Sequence, residues 1–212
     1  MGILSYFQSL TKLEKIVRHP VQVKFEEYSV AAHSWKVIQF AKIFADIEEQ
    51  HGAVIDWKKL YQLSSRHDYG EIFVNEFKTP KMFVSSELQN MVEKVEQAMI
   101  YNFVEEQIPS TYRTIFHHQL MEVKDDSVEC QIVLAADHTD HVFEAFAEFQ
   151  SGNEGVEYII MFQNALKILQ GIRLHCVDHF LHVILPDLLA QPISANLDIQ
   201  QLTDEALAFH IV

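Results

Sequence analysis

"SSRHDYGEIF", residues 64–73, sets His67 directly before Asp68, with Glu71 three residues further on. The stretch lies in a run whose apolar positions keep helical spacing, and the spacing predicts a third helix over 56–73 with Asp56 as its N-cap. On a helix, adjacent side chains point about 100° apart. The long imidazole and the short carboxylate still reach one ion, and Glu71, at i+4 from His67 and i+3 from Asp68, falls on the same side. Taken alone, the dyad is equally compatible with a half-exposed helix edge. A metal reading needs at least two more ligands from other helices.

The same helical period runs outward in both directions. Ile3, Leu4, Phe7, Leu10, Leu13 and Val17 form one stripe, and a second helix is expected over about 29–50, stopped by Gly52. Thr79-Pro80 marks a loop, because a residue before proline is pushed out of helical geometry. Ser86 and Gln89 read as a capping box for a long helix over about 87–107, and Pro109-Ser110 separates it from a shorter one near 111–122. Asp126 and Glu129 open a helix over about 127–149 that "SGNEG" ends. Others follow near 156–170, 173–190 and 199–210. No internal repeat or low-complexity tract interrupts them. The fold class is all-α: one domain over 1–212, a bundle of about eight or nine helices.

Composition agrees and narrows the function. The chain has 212 residues, 49% of them hydrophobic, with only 6 Gly and 5 Pro, too few turn formers for a β-rich or disordered chain. The formal charge is −14, which repels phosphate backbones and argues against nucleic-acid partners. A phosphate-bearing substrate would have to meet a local basic spot or a metal. Cys130 and Cys176 are the only cysteines, which fits a reducing cytoplasmic setting better than a disulfide framework. The opening "MGILSYFQSL" lacks a basic start and its apolar run is broken, so no secretory leader is expected. No run approaches the roughly 18 apolar residues of a membrane helix, so no membrane partner is expected.

Two further residues are candidates to complete a metal sphere. His33, in "VAAHSWKV", falls in the first turn of its helix. Asp137, in "VLAADHTDH", sits in an apolar helix where an unpaired carboxylate is costly to bury. Two imidazoles and two carboxylates suit Mn²⁺, Fe²⁺, Co²⁺, Ni²⁺ or Zn²⁺ without choosing among them.

His33, then His67-Asp68, then Asp137 resembles the H…HD…D order of the HD-domain metal-dependent phosphohydrolases, and within them the bacterial 5'-deoxynucleotidases. The resemblance runs from about Arg18 to Asp137. It includes Arg18 ahead of the first ligand, His33-Ser34, the HDxxE pattern ending at Glu71, and Thr79-Pro80. It implies one divalent transition metal on His33, His67, Asp68 and Asp137, and hydrolysis of (deoxy)nucleoside 5'-monophosphates, with a small-molecule nucleotide as partner and a homodimer as assembly. Arg18 would hold the phosphate as a planar fork, with His19, Lys78 and Thr79 beside the substrate. Glu71 and Glu76 are the expected catalytic carboxylates. His19 stands where the family carries a Trp linked to 2'-deoxy preference, Ala31-Ala32 replaces Ser-Glu, and Asn75-Glu76 replaces Gly-Asp. Ile72 after Glu71 argues against the HDxxED alarmone hydrolases, and no GYP motif marks a cyclic-dinucleotide phosphodiesterase. The drifted substrate positions leave one alternative, a non-catalytic sensor that keeps the metal and binds a nucleotide or phosphate.

Other polar clusters have plainer readings. His138, Asp140 and His141 near Asp137 read as solvated or hydrogen-bonded side chains. His175, His179 and His182, on one face of their helix, read as a packing or subunit-interface face.

Overall fold

The computed structural model describes residues 3–20, 22–74, 85–121 and 125–208. Among them it contains helices, one isolated bridge and no strand. In chain order the helices are α1 (Leu4–Leu13), α2 (Val30–Gln50), α3 (Trp57–Arg66), α4 (Glu71–Val74), α5 (Ser86–Gln107) and α6 (Ser110–Leu120). Next come α7 (Val128–Gln150), α8 (Val156–Gly171) and α9 (His175–His179), a π segment (Phe180–Ile184), α10 (Leu185–Leu189) and α11 (Ile199–Leu207). With the unbroken run from α9 to α10 taken as one helix and the single turn α4 set aside, nine helices remain among the described residues. The all-α reading holds.

Local chemistry sets the ends. Asp56 caps α3 as expected, its Oδ1 accepting from Lys59 N at 3.0 Å. The caps of α5 and α7 fall on serines: Ser85 accepts from Leu88 N and Ser127 from Cys130 N. Each is one residue away from where the sequence pattern puts it. Gly52, at φ 94°, supplies the left-handed residue after α2. Pro186, in the first turn of α10, lacks an N–H and crowds the turn before it. The wider π turns immediately ahead of it are one way a helix passes a proline without breaking.

The chain forms two compact units. The first comprises residues 1–21, 28–35 and 61–125. Its core gathers Leu13 at the end of α1, Val30 of α2, Ile72 of α4, Ile100 and Val104 of α5, and Phe116 of α6. Tyr69 lies in that core too, its hydroxyl hydrogen-bonded to Ser9 Oγ at 2.8 Å. Burial pushes the Tyr69 phenol well above its ordinary pKa, although the Ser9 bond works the other way. A short antiparallel clasp joins the segments before α2: Arg18 N donates to Tyr28 O and Val30 N to Ile16 O, both at 2.9 Å, around the Val17–Ser29 bridge.

The second unit comprises residues 22–27, 36–60 and 126–212. Its core is aromatic, with Phe44, Phe146, Phe149, Phe162 and Phe180 almost wholly buried, and α8 packs against both α7 and α11. Three buried carboxylates serve its main chain. Glu48 accepts from Cys176 N at the start of α9 at 2.7 Å. Glu129 accepts from Asp56 N at 2.8 Å. Glu148 accepts from Phe25 N at 2.9 Å, Glu26 N at 3.0 Å and Asn153 Nδ2 at 2.6 Å, fixing the 22–27 segment. Part of the chain's acidity is thus structural.

Candidate metal centre

His33 is the fourth residue of α2, and its side chain is 1% exposed. Its N–H donates to Ser29 O at 3.0 Å, and Ser29 Oγ accepts from Ala32 N, so the clasp before α2 also fixes the turn that carries the imidazole. His67 and Asp68 are not on a helix, contrary to the reading of 56–73 as one element. Helix α3 ends at Arg66, and the chain turns through His67, Asp68, Tyr69 and Gly70 before α4 begins at Glu71. The turn is closed by Tyr69 N donating to Arg66 O at 2.8 Å and Glu71 N to Asp68 O at 3.1 Å. Two side requirements make it. Tyr69 enters the core to meet Ser9, and Gly70 passes so close to Glu96 that an added Cβ would lie 3.1 Å from the Glu96 Cβ.

The turn brings three ligand atoms to one point. His33 Nε2 and His67 Nε2 are 3.1 Å apart, His33 Nε2 is 3.3 Å from Asp68 Oδ2, and His67 Nε2 is 3.4 Å from the same oxygen. Ions with bonds of about 2.1 Å separate neighbouring ligand atoms by about 3.0 Å in an octahedron and about 3.4 Å in a tetrahedron. The three separations fall in that range. His67 Nδ1 is 2.8 Å from Ser64 O, which can only accept, so Nδ1 carries the proton and neutral His67 turns a lone pair inward from Nε2. Two imidazole lone pairs and a carboxylate oxygen this close repel one another unless a proton or a cation lies among them. The donor set fits a divalent transition ion.

Arg18 completes the group. Its Nη1 lies 3.3 Å from Asp68 Oδ2, and its side chain is 5% exposed. Burial alone would raise the Asp68 pKa, but His67, His33 and Arg18 together hold it far below the usual carboxylate range, so the ligand oxygen stays ionised. His19, next to Arg18, is buried and adopts φ 49°, a left-handed conformation that costs a non-glycine residue about 1–3 kcal/mol. Glu71 opens α4, buried, one hydrogen-bonded turn from Asp68.

The remaining sequence candidates divide. Asp137 belongs to the second unit, on α7, with its side chain 27% exposed and Oδ1 3.7 Å from His141 Nδ1. Glu76, Lys78 and Thr79 lie outside the described residues. His175, His179 and His182 are all exposed, and His175 stacks on His51 with ring centroids 4.1 Å apart. Sequence reasoning missed Tyr28, whose ring meets His33 edge-on at 6.4 Å. Its backbone partnership with Arg18 leaves no periodic trace in the sequence.

Known proteins resemble the chain along most of its length. The family profile described as 5'-deoxynucleotidase YfbR-like matches residues 5–188. A 5'-deoxynucleotidase of Klebsiella pneumoniae is 24% identical over 182 residues, 85% of this chain and 90% of its own length. One from Erwinia tasmaniensis is 22% identical over 203 residues, 95% and 98% of the two chains. The crystal structure of an HD-domain phosphohydrolase from Listeria innocua superposes with a TM-score of 0.92 at 39% identity, covering 98% of this chain and 99% of that one. The chain belongs to the YfbR-like family of HD-domain phosphohydrolases, a class of hydrolases. A conserved hypothetical protein from Pyrococcus furiosus, at TM-score 0.62 and 22% identity, shares the fold. Among the described residues, no helix is long and apolar enough to cross a membrane.

Proposed function

We propose that the protein is a metal-dependent phosphomonoesterase that hydrolyses nucleoside 5'-monophosphates, deoxy or ribo, to nucleoside and phosphate. The observation that carries the reading is the convergence of His33, His67 and Asp68 with Arg18 3.3 Å from the shared carboxylate oxygen. A buried guanidinium beside a metal triad suits a phosphate that is bound while it reacts. In this reading Asp137 is the fourth ligand, on the strength of the H…HD…D order.

A divalent ion held by His33, His67 and Asp68 would supply Lewis acidity toward water and a phosphoryl oxygen. The chain supplies the rest. Arg18 binds the phosphate as a fork, in the ground state and more tightly as charge develops. Ser64 O keeps the His67 proton on Nδ1. Glu71 takes a proton from the attacking water through its carboxylate. Glu76 serves the leaving 5'-oxygen or the sugar, and Lys78 and Thr79 add contacts to the phosphate. His19 stands beside Arg18 in place of a deoxy-selecting Trp, so ribose and 2'-deoxyribose substrates should differ by no more than about 10-fold in kcat/KM, below the discrimination a dedicated contact gives. The protein acts as a homodimer in the cytoplasm.

The test is phosphate release from a panel of ribo- and deoxynucleoside monophosphates with Mn²⁺ or Co²⁺, against EDTA. Metal-dependent release is expected. Glu71→Ala should lower kcat by roughly 10²–10⁴-fold with metal content kept. Release from no monophosphate, with nucleotide still bound, would replace the enzyme by the sensor.

A further inference from the structure

The residue that follows the His67-Asp68 dyad is tied to a helix that supplies no ligand. Tyr69 is 3% exposed, and its ring lies among those of Tyr6, Phe73 and Phe103, with centroids 5.7 Å, 6.0 Å and 6.4 Å away. Its hydroxyl meets Ser9 Oγ of α1 at 2.8 Å, across 60 residues of sequence. Ser9 is also buried, and its Oγ donates to Tyr6 O at 2.6 Å. A serine hydroxyl has one hydrogen, and a carbonyl oxygen can only accept. The proton between Ser9 and Tyr69 therefore comes from the phenol, and Ser9 Oγ is the acceptor that keeps this buried hydroxyl paired.

The main chain of Tyr69 is held as firmly as its ring. Its N–H donates to Arg66 O at 2.8 Å, and its carbonyl accepts from Ile72 N at 3.3 Å. Consecutive Cα atoms stand about 3.8 Å apart across a trans peptide, so a displaced Tyr69 takes Asp68 with it. Asp68 Oδ2 is 3.3 Å from His33 Nε2 and 3.4 Å from His67 Nε2, distances that a shift of the turn would change directly. On the other side of Tyr69, Gly70 packs so closely on Glu96 that the turn has little room to slide toward α5.

We propose that Ser9 is a positioning residue for the metal centre: by accepting the Tyr69 hydroxyl it sets where the turn carries His67 and Asp68. The proposal rests on the metal reading of that centre. It adds a residue from outside the H…HD…D pattern, on the helix ahead of Arg18. By linkage, an ion bound at the triad strengthens the seat of Tyr69 against α1 to the same degree.

The test measures Mn²⁺ affinity of metal-stripped full-length protein by calorimetry, with Asp68→Ala marking any heat that does not come from the triad. Ser9→Ala should weaken binding at the triad by about 10–100-fold, the usual worth of a group that orients a metal ligand. In a Tyr69→Phe background the same change should cost nothing further, because the bond is already gone. Val104→Ala, in the same core, should lower the urea midpoint and leave Mn²⁺ affinity unchanged. Tyr69→Phe, which breaks the bond and orphans no hydroxyl, makes the comparison where Ser9→Ala is too unstable to purify. A bond-breaking variant that loses stability as Val104→Ala does and keeps its Mn²⁺ affinity overturns the proposal. So does an undiminished effect of Ser9→Ala when residue 69 is Phe. If the unaltered protein binds no ion that Asp68→Ala removes, the metal reading fails, and crystal structures of the variants decide this one. A His33 Nε2 to Asp68 Oδ2 separation wider than 3.3 Å supports the positioning role, and an unmoved triad overturns it.

Discussion

The two units bury charge in different ways. In the second, Glu48, Glu129 and Glu148 each face main-chain N–H groups and so fix a segment or a helix start. In the first, Asp68 faces two imidazoles and a guanidinium, side chains that must themselves be held in place. Asp68 is somewhat more open than the three glutamates, and its partners differ in kind. A buried carboxylate satisfied by backbone amides is finished chemistry. One satisfied by two imidazoles and a guanidinium is a candidate site, because those groups can exchange their mutual contacts for an ion or a substrate.

The sharpest way to break this contrast is Asp68→Ala. It should abolish metal uptake at the triad, and with it the ligand-linked stabilisation of about 2.7 kcal/mol at a hundredfold excess over Kd that raises the melting temperature. Thermal scans with and without Mn²⁺ measure it; an undiminished rise would remove Asp68 from the metal. Glu148→Ala should do the reverse. It removes the charged acceptor for the amides of Phe25 and Glu26 and for Asn153 Nδ2, so it should destabilise the fold by about 1–3 kcal/mol in urea titrations. Activity per folded molecule should hold. A loss of kcat at unchanged stability would erase the distinction between the two kinds of buried acid.

The smallest effect is a pH dependence in the second unit. Burial, then the Glu48 carboxylate, pushes the Cys176 thiol well above its ordinary range. A raised pKa in the folded state means that the unfolded chain releases this proton first. The contribution is therefore full below about pH 8.5, the unfolded thiol value, and erodes as pH rises above it, by under about 1 kcal/mol at pH 9. Urea midpoints of Cys176→Ala should fall less between pH 7.5 and pH 9 than those of the unaltered protein. Parallel slopes would show that the thiol ionises freely in the fold.

The helical architecture was legible because apolar residues kept the 3.6 period almost throughout, and the ordered His33, His67-Asp68, Asp137 pattern was legible through its family resemblance. The break inside 56–73 was not. Leu60, Leu63, Tyr69 and Ile72 continue the helical period, and only Gly70 hints at the turn that aims His67 and Asp68. Caps misplaced by one residue came from adjacent hydroxyl or carboxylate residues, Ser85-Ser86 and Asp126-Ser127, which compete for one role. Glu48 and Glu148 left no trace, since an acid that serves backbone amides has no side-chain partner for a motif to record.

The clasp that precedes α2 carries a consequence for how such a protein changes over generations. The bonds that hold Arg18 pass through main-chain atoms of Ile16, Arg18, Tyr28 and Val30, which are indifferent to the side chain that follows. The backbone then swings left-handed at His19. The side chain at position 19 thus changes beside an anchor that main-chain bonds hold. Under the proposed function, a change of side chain there would revise which sugar is accepted without re-aiming Arg18.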